Sequence, residues 1–186
     1  LLSSFTAPIN FIDLSKSGTA NCYIVSKSGY YKFHAVKGNS TISVGSVSSV
    51  AVLWESYGTD VKPSVGALIK KVAFNKGYIA FQTADTFKEG NAVIAAKDVN
   101  GKILWSWHIW FTDQPQGQEY YNNAGTMMDR NLGATSATPG DVGALGLFYQ
   151  WGRKDPFLGS SSISSSTLAK STITWPSVVK SNSSNG

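Results

Sequence analysis

The chain has 186 residues, 42% of them hydrophobic and 12% aromatic, which is enough apolar material for one domain core plus a small second unit and excludes disorder throughout. Charged residues are 15%, against roughly 25% in an average soluble domain, and Ser, Thr, Gly and Asn fill the difference, a balance that suits β-structure and an extracellular setting. The net charge of +5 sits on scattered lysines: residues 1–113 hold 11 Lys, 7 acidic residues and no Arg, which argues against a nucleic-acid or anionic-membrane surface.

In chain order, Phe5–Leu14 is a candidate edge strand, expected to pair within its own sheet. Cys22–Ser26, a turn at Lys27-Ser28-Gly29 and Tyr30–Val36 predict a first hairpin. Val47–Tyr57 is rich in β-branched residues and predicts a longer strand. Pro63–Lys71 has room for one helical turn, and Leu68–Asn75, Lys76-Gly77 and Tyr78–Thr83 predict a second hairpin. The strongest local signal is Asn91–Asp113, where Asn100-Gly101 between two apolar runs predicts a type I′ hairpin. Its register sets Ala96 opposite Trp105, Ile94 opposite Trp107 and Ala92 opposite Ile109, small against large on the core face. The other face, with Val93, Ala95 and Lys97 against His108, Ser106 and Leu104, is expected to be half exposed. Seven or eight short strands with recurrent turn signals predict an all-β fold, an Ig-like or transthyretin-like antiparallel β-sandwich over residues 1–113.

After Asp113 the character changes. Gln114-Pro115-Gln116-Gly117-Gln118 marks a boundary, and residues 114–186 predict a small, irregular, Gly- and aromatic-rich unit with a Ser-rich loop at 159–166. No run of 18 apolar residues occurs. The chain opens Leu1-Leu2-Ser3 without a charged n-region, so a trimmed or mature fragment is expected, with any export signal or lipid anchor outside it.

Chemistry-bearing residues are few. Cys22 excludes an internal disulfide, and its alternation with Ile24 suggests a small buried hydrophobe. His34, His108 and Cys22 do not have metal-ligand spacing, and a Cys–His dyad would need an exposed thiol near positive charge. Asp98-Val99-Asn100-Gly101 has too few oxygen ligands for a calcium loop, and Gly140–Gly146 reads as a loop with unusual backbone angles rather than a phosphate cradle. Glu55 beside Trp54, and Glu119 beside Tyr120-Tyr121, are weak candidates for a glycosidase carboxylate pair. Of the six tryptophans, Trp54, Trp105 and Trp107 have core parity. Trp110 lies on the other face, where it would either stack on a sugar or be covered by the second unit; covering is favoured because large exposed aromatics are uncommon. Tyr120 and Tyr121 are further candidate ligand-binding residues, and Trp175 has no assigned place.

Two stretches carry a resemblance. Ala20–Val25, Tyr31-Lys32-Phe33, Val36–Asn39, Val52–Glu55, Gly77–Phe81, Gly90–Ala96 and Ile103–Trp110 resemble the β-sandwich domain of Bacteroidales fimbrillin-like surface proteins. Met128-Asp129-Arg130-Asn131-Leu132-Gly133-Ala134 and Gly146–Arg153 are similar to the opening of a C-type-lectin-like module, the major paralogous domain of Fibrobacter and Bacteroidetes surface proteins. The Cys-Pro-x-Gly-Trp-Arg-x-Pro stretch that normally follows in such modules is not in this sequence. The resemblance implies a structural role for Asp129, Arg130, Asn131, Gly133, Trp151 and Gly152, with Asp129 and Arg130 satisfying buried backbone groups and Trp151 packing. It further implies export to the cell surface or outer membrane, no enzymatic activity and no cofactor. The implied role is in adhesion or pilus assembly, with other surface or pilus subunits as partners through strand donation. A carbohydrate-binding module of a surface glycan-capture system is the alternative expectation, with a glycan as ligand and a membrane met only through a lipid anchor.

Overall fold

A computed structural model describes residues 10–58 and 63–157. Eight strands form two facing four-stranded sheets: β1 (Ile12–Asp13), β2 (Cys22–Val25), β3 (Tyr30–His34), β4 (Ser49–Ser56), β5 (Ile69–Asn75), β6 (Tyr78–Thr83), β7 (Gly90–Lys97) and β8 (Ile103–Phe111). One sheet runs β1-β3-β6-β5, the other β2-β8-β7-β4. A separate ribbon pairs β9 (Gly117–Glu119) with β10 (Thr126–Met128). The described residues hold no α-helix, only two short 3-10 turns at Tyr121–Asn123 and Val142–Ala144. The chain is therefore all-β and sandwich-like, but not purely antiparallel: β1 pairs with β3, and β2 with β8, in parallel.

Those parallel pairs correct the first expected hairpin. β2 and β3 occur close to where the sequence puts them, yet they enter different sheets. Alternation explains why. Tyr23 and Val25 on β2, and Tyr31 and Phe33 on β3, all point inward. In a flat hairpin they would share one surface; with the chain arched between sheets they meet across the core, where the Tyr23 and Phe33 rings lie 4.8 Å apart. Phe33 also contacts Trp107 from the opposite sheet at 5.3 Å, and Ile79, Phe81, Ile94, Ile109 and Phe111 complete a core that excludes water. Ile12–Asp13 pairs with Tyr31–Lys32 inside its own sheet, as expected; Phe5–Ile9 of the candidate edge strand lie outside the described residues.

The other two hairpins form. Lys76 (φ 47°) and Gly77 (φ 81°) make the two-residue left-handed turn between β5 and β6. The segment before β5 holds a turn closed by Ala67 N–H on Ser64 O at 3.1 Å, not a helix. Between β7 and β8 the pairs Ala92–Ile109, Ile94–Trp107 and Ala96–Trp105 hold. The turn itself differs: only Gly101 has positive φ (79°), and Asp98 N–H donates to Lys102 O at 2.9 Å around a three-residue loop. The Asp98 carboxylate accepts from the Asn100 and Lys102 amides at 2.8 and 2.9 Å, which favours this wider turn. A bulge at Leu104 then restores the register, so Lys97 faces Ile103.

A second bulge, at Leu53, overturns the core placement of Trp54. Val52 pairs with Ile94 on the core side, but after the extra residue Trp54 pairs with the outward Val93, and Glu55 with the inward Ala92. Glu55 becomes 2% exposed, and its carboxylate accepts three backbone N–H groups, from Ala67 and Leu68 at 2.9 Å each and Ile69 at 3.0 Å. This acid ties β4 to the start of β5, and its hydrogen bonds account for a structural role.

Candidate functional site

The outer face of the β2-β8-β7-β4 sheet is built by strand parity. Where Tyr23, Ala92, Ile94, Trp107 and Ile109 point into the core, their neighbours Cys22, Asn91, Val93, Ser106, His108 and Trp110 point out. Of the face expected to be half exposed, only Lys97 and Leu104 are so; Val93, Ala95 and Ser106, like Asn91, are inaccessible, and His108 and Trp110 are 2% and 1% exposed. Residues 131–157 lie across this face as a strap. Trp110 Nε1 donates to Ala134 O at 2.8 Å, and Asn91 Nδ2 donates to Gly133 O at 2.9 Å. Trp110 is thus covered by the second unit, and its ring is not open to a sugar.

Two polar clusters occupy the covered face. In the first, Cys22 and His108 are register partners on the parallel strands β2 and β8, with Sγ 3.2 Å from Nδ1. His108 Nε2 lies 2.8 Å from Asn91 Oδ1. Because the Asn91 amide nitrogen is committed to Gly133 O, its oxygen faces the ring, so Nε2 carries the proton and Nδ1 accepts from the Cys22 thiol. The chain of donors is complete and one-directional: thiol, imidazole, amide, backbone carbonyl. Burial pushes the thiol up to about 12 and the imidazole down to about 3. Transfer of the thiol proton to His108 is therefore strongly opposed, and the pair is a neutral hydrogen bond rather than an activated nucleophile.

The second cluster lies two residues along β8. Ser106 Oγ–H donates to Asp155 Oδ2 at 2.6 Å, and Lys154 Nζ donates to Ser106 O and Oγ at 2.7 Å and to both Asp155 oxygens at 2.8 and 2.9 Å. Lys154 also sits over the Trp105 ring at 4.7 Å. Both ionic side chains are under a tenth exposed. A buried, fully hydrogen-bonded ion pair of this kind adds geometric specificity more than net stability.

The residues around Asp129–Gly133 and Gly146–Gly152 take several roles. Arg130 does not reach buried backbone groups: it forks onto its neighbour Asp129 at 2.7 and 3.0 Å, reaches Thr112 Oγ1 at 3.1 Å and pairs with Asp113. It ties the strap to the end of β8 and holds both carboxyls below their ordinary range. Asn131 Nδ2 donates to Ala144 O at 3.2 Å. Gly133 has φ 80°, and a Cβ there would stand 2.5 Å from Leu147 Cγ, so only glycine lets its carbonyl meet Asn91. Gly140, Gly146 and Gly152 also have positive φ, as the loop reading expected for the first two. Trp151 is not packed: it is 91% exposed in a tight turn.

Tyr121, at the tip of the β9–β10 ribbon, is 94% exposed and Tyr120 54%. They belong to a second unit that leaves many large apolar side chains in solvent, Met127, Leu145 and Phe148 among them. An open cleft of about 440 Å³ runs between Met127–Leu132 and Ser136, Ala137 and Ala144. His34 stacks on Tyr78 outside the opposite sheet and shares no site with His108. The Ser-rich loop 159–166 and Trp175 lie outside the described residues.

Alternation contained the signal for part of this site: Cys22 has the parity opposite to Tyr23 and Val25, so it leaves the core. Asn91, Ser106, Lys154 and Asp155 escaped sequence reading because their partners are 17 to 49 residues away. Comparison with protein-family models, with curated proteins and with solved structures finds no match for the chain.

Proposed function

We propose that this chain is a non-enzymatic, exported surface protein, a fimbrillin-like adhesin or minor pilus component that makes contacts with other surface subunits or with a host surface and uses no cofactor. The observation that carries the reading is that the second unit is anchored to the sandwich yet leaves large aromatic rings in solvent. Buried hydrogen bonds pin it through Gly133 and Ala134, while Tyr121 and Trp151 are almost wholly in solvent. Large exposed aromatics on a rigid scaffold mark interaction surfaces. The sandwich core and the resemblance in residues 20–113 support the surface-protein part, and the two-residue edge strand β1 suits a sheet edge open to strand addition.

Beads coated with the purified chain test this reading by retention on host epithelial cells and on partner bacteria. Retention well above albumin-coated beads, lost with Tyr121→Ala and Trp151→Ala, is expected; retention equal to albumin refutes it. The same exposed rings favour a second reading, a carbohydrate-binding module. A glycan array gives signal dependent on Tyr121 or Trp151 if that reading is right, and none if the contacts are with protein.

A further inference from the structure

We propose that the strap of residues 131–157 is an acid-released cover: protonation of His108 detaches it from the outer face of the β2-β8-β7-β4 sheet while the sandwich core stays folded. The argument starts from geometry. Both imidazole nitrogens are engaged, Nδ1 as acceptor from Cys22 and Nε2 as donor to Asn91, and Asn91 passes the contact to the strap at Gly133. A second proton on the ring goes to Nδ1, where it meets the thiol proton. Acceptor becomes donor, the relay is broken at its first link, and a cation is left in a site that is 2% exposed.

Among the described residues the surrounding groups offer that cation no free carboxylate. β2 supplies the neutral Cys22 thiol, and β7 supplies the neutral Asn91 amide. From the strap, Asp155 is already saturated by Lys154 and Ser106, and Tyr149 is a neutral phenol that interacts with Cys22 and Asp155. Arg153 adds positive charge and lies over Phe157. Burial alone holds the imidazole down at about 3, against its ordinary 6.5. The closed form therefore stays neutral while any form with the ring in water takes up a proton below 6.5. The stabilisation is full above pH 6.5 and is lost as pH falls toward 3. Each pH unit in that window favours the open form about tenfold, so pH 4.5 raises its population about 100-fold. Global unfolding also puts His108 in water and gains the same factor, so what sets the strap apart is a lower opening free energy and not a steeper slope; His34, outside the other sheet, adds no second buried imidazole. Opening bares Trp110, His108 and Cys22, a face of different chemistry from the one shown at neutral pH.

Hydrogen exchange of the full chain, read by mass spectrometry between pH 7 and 4.5 and corrected for intrinsic rates, tests this. Peptides from 131–157 are expected to lose protection about 100-fold, and at every pH to open at a lower free energy than peptides from β6. Equal opening free energies in both regions overturn the proposal, as does an unchanged pH slope in His108→Gln. Should that variant not fold, Asn91→Asp decides: a carboxylate on Nε2 holds the imidazolium in the closed form, so the slope flattens, and a slope equal to that of the parent refutes the mechanism.

Discussion

Glu55 offers the sharpest test of how the two sheets are joined. Its carboxylate is the acceptor for three consecutive amides at the entrance to β5, in a site that is 2% exposed. Hydrogen bonds to a charged group contribute about 1.5–3 kcal/mol each, and a buried donor left without a partner costs about as much again as a neutral bond is worth. In Glu55→Gln one oxygen remains and can serve Ala67 and Leu68, while the new amide nitrogen confronts the Ile69 N–H, donor against donor. The expected loss is about 2–4 kcal/mol. Glu55→Ala orphans all three amides and is expected to lose about 4–6 kcal/mol, water reaching Ala67 and moderating the sum. Urea unfolding followed by tryptophan fluorescence reads both variants. With a slope of about 2 kcal/mol per molar urea, the Gln variant moves the midpoint down by about 1–2 M. An Ala variant within 1 kcal/mol of the parent, or a Gln variant less stable than the Ala variant, would show that the carboxylate does not hold β5 as described.

Two further substitutions probe the backbone. Gly133→Ala puts a methyl group against Leu147 at a residue with φ 80°, so we expect a loss of about 2–4 kcal/mol in the same urea assay, with hydrogen exchange showing the strap loosened before the sheets. Lys76→Asn replaces a residue strained at φ 47° by one that tolerates the left-handed region; a gain of about 0.5–1 kcal/mol is expected, and a loss would mean the Lys76 side chain makes a contact that outweighs the strain.

What the sequence by itself determined about this protein was local. Alternation and turn chemistry placed β4 to β8, the Lys76-Gly77 turn and the small-against-large register of β7 on β8, because each of these depends on residues a few positions apart. Parity put Trp110 on the outer face, and the rarity of large exposed aromatics favoured its being covered, as it is. The tertiary structure decided everything that depends on distant pairing. Two hairpin-like strands were split between sheets because their inward aromatics satisfy one another across the core and not along one surface. A single bulge reversed Trp54 and Glu55, since one inserted residue exchanges the faces of a strand with period two. Arg130 found side chains instead of backbone, and Trp151 found solvent. Cys22, His108 and Asn91 came from three strands into one hydrogen-bonded line, the first two aligned by the register of the parallel β2–β8 pair. Parity sets which way each side chain points, but the identity of the strand or strap it meets is a property of the assembled sheets.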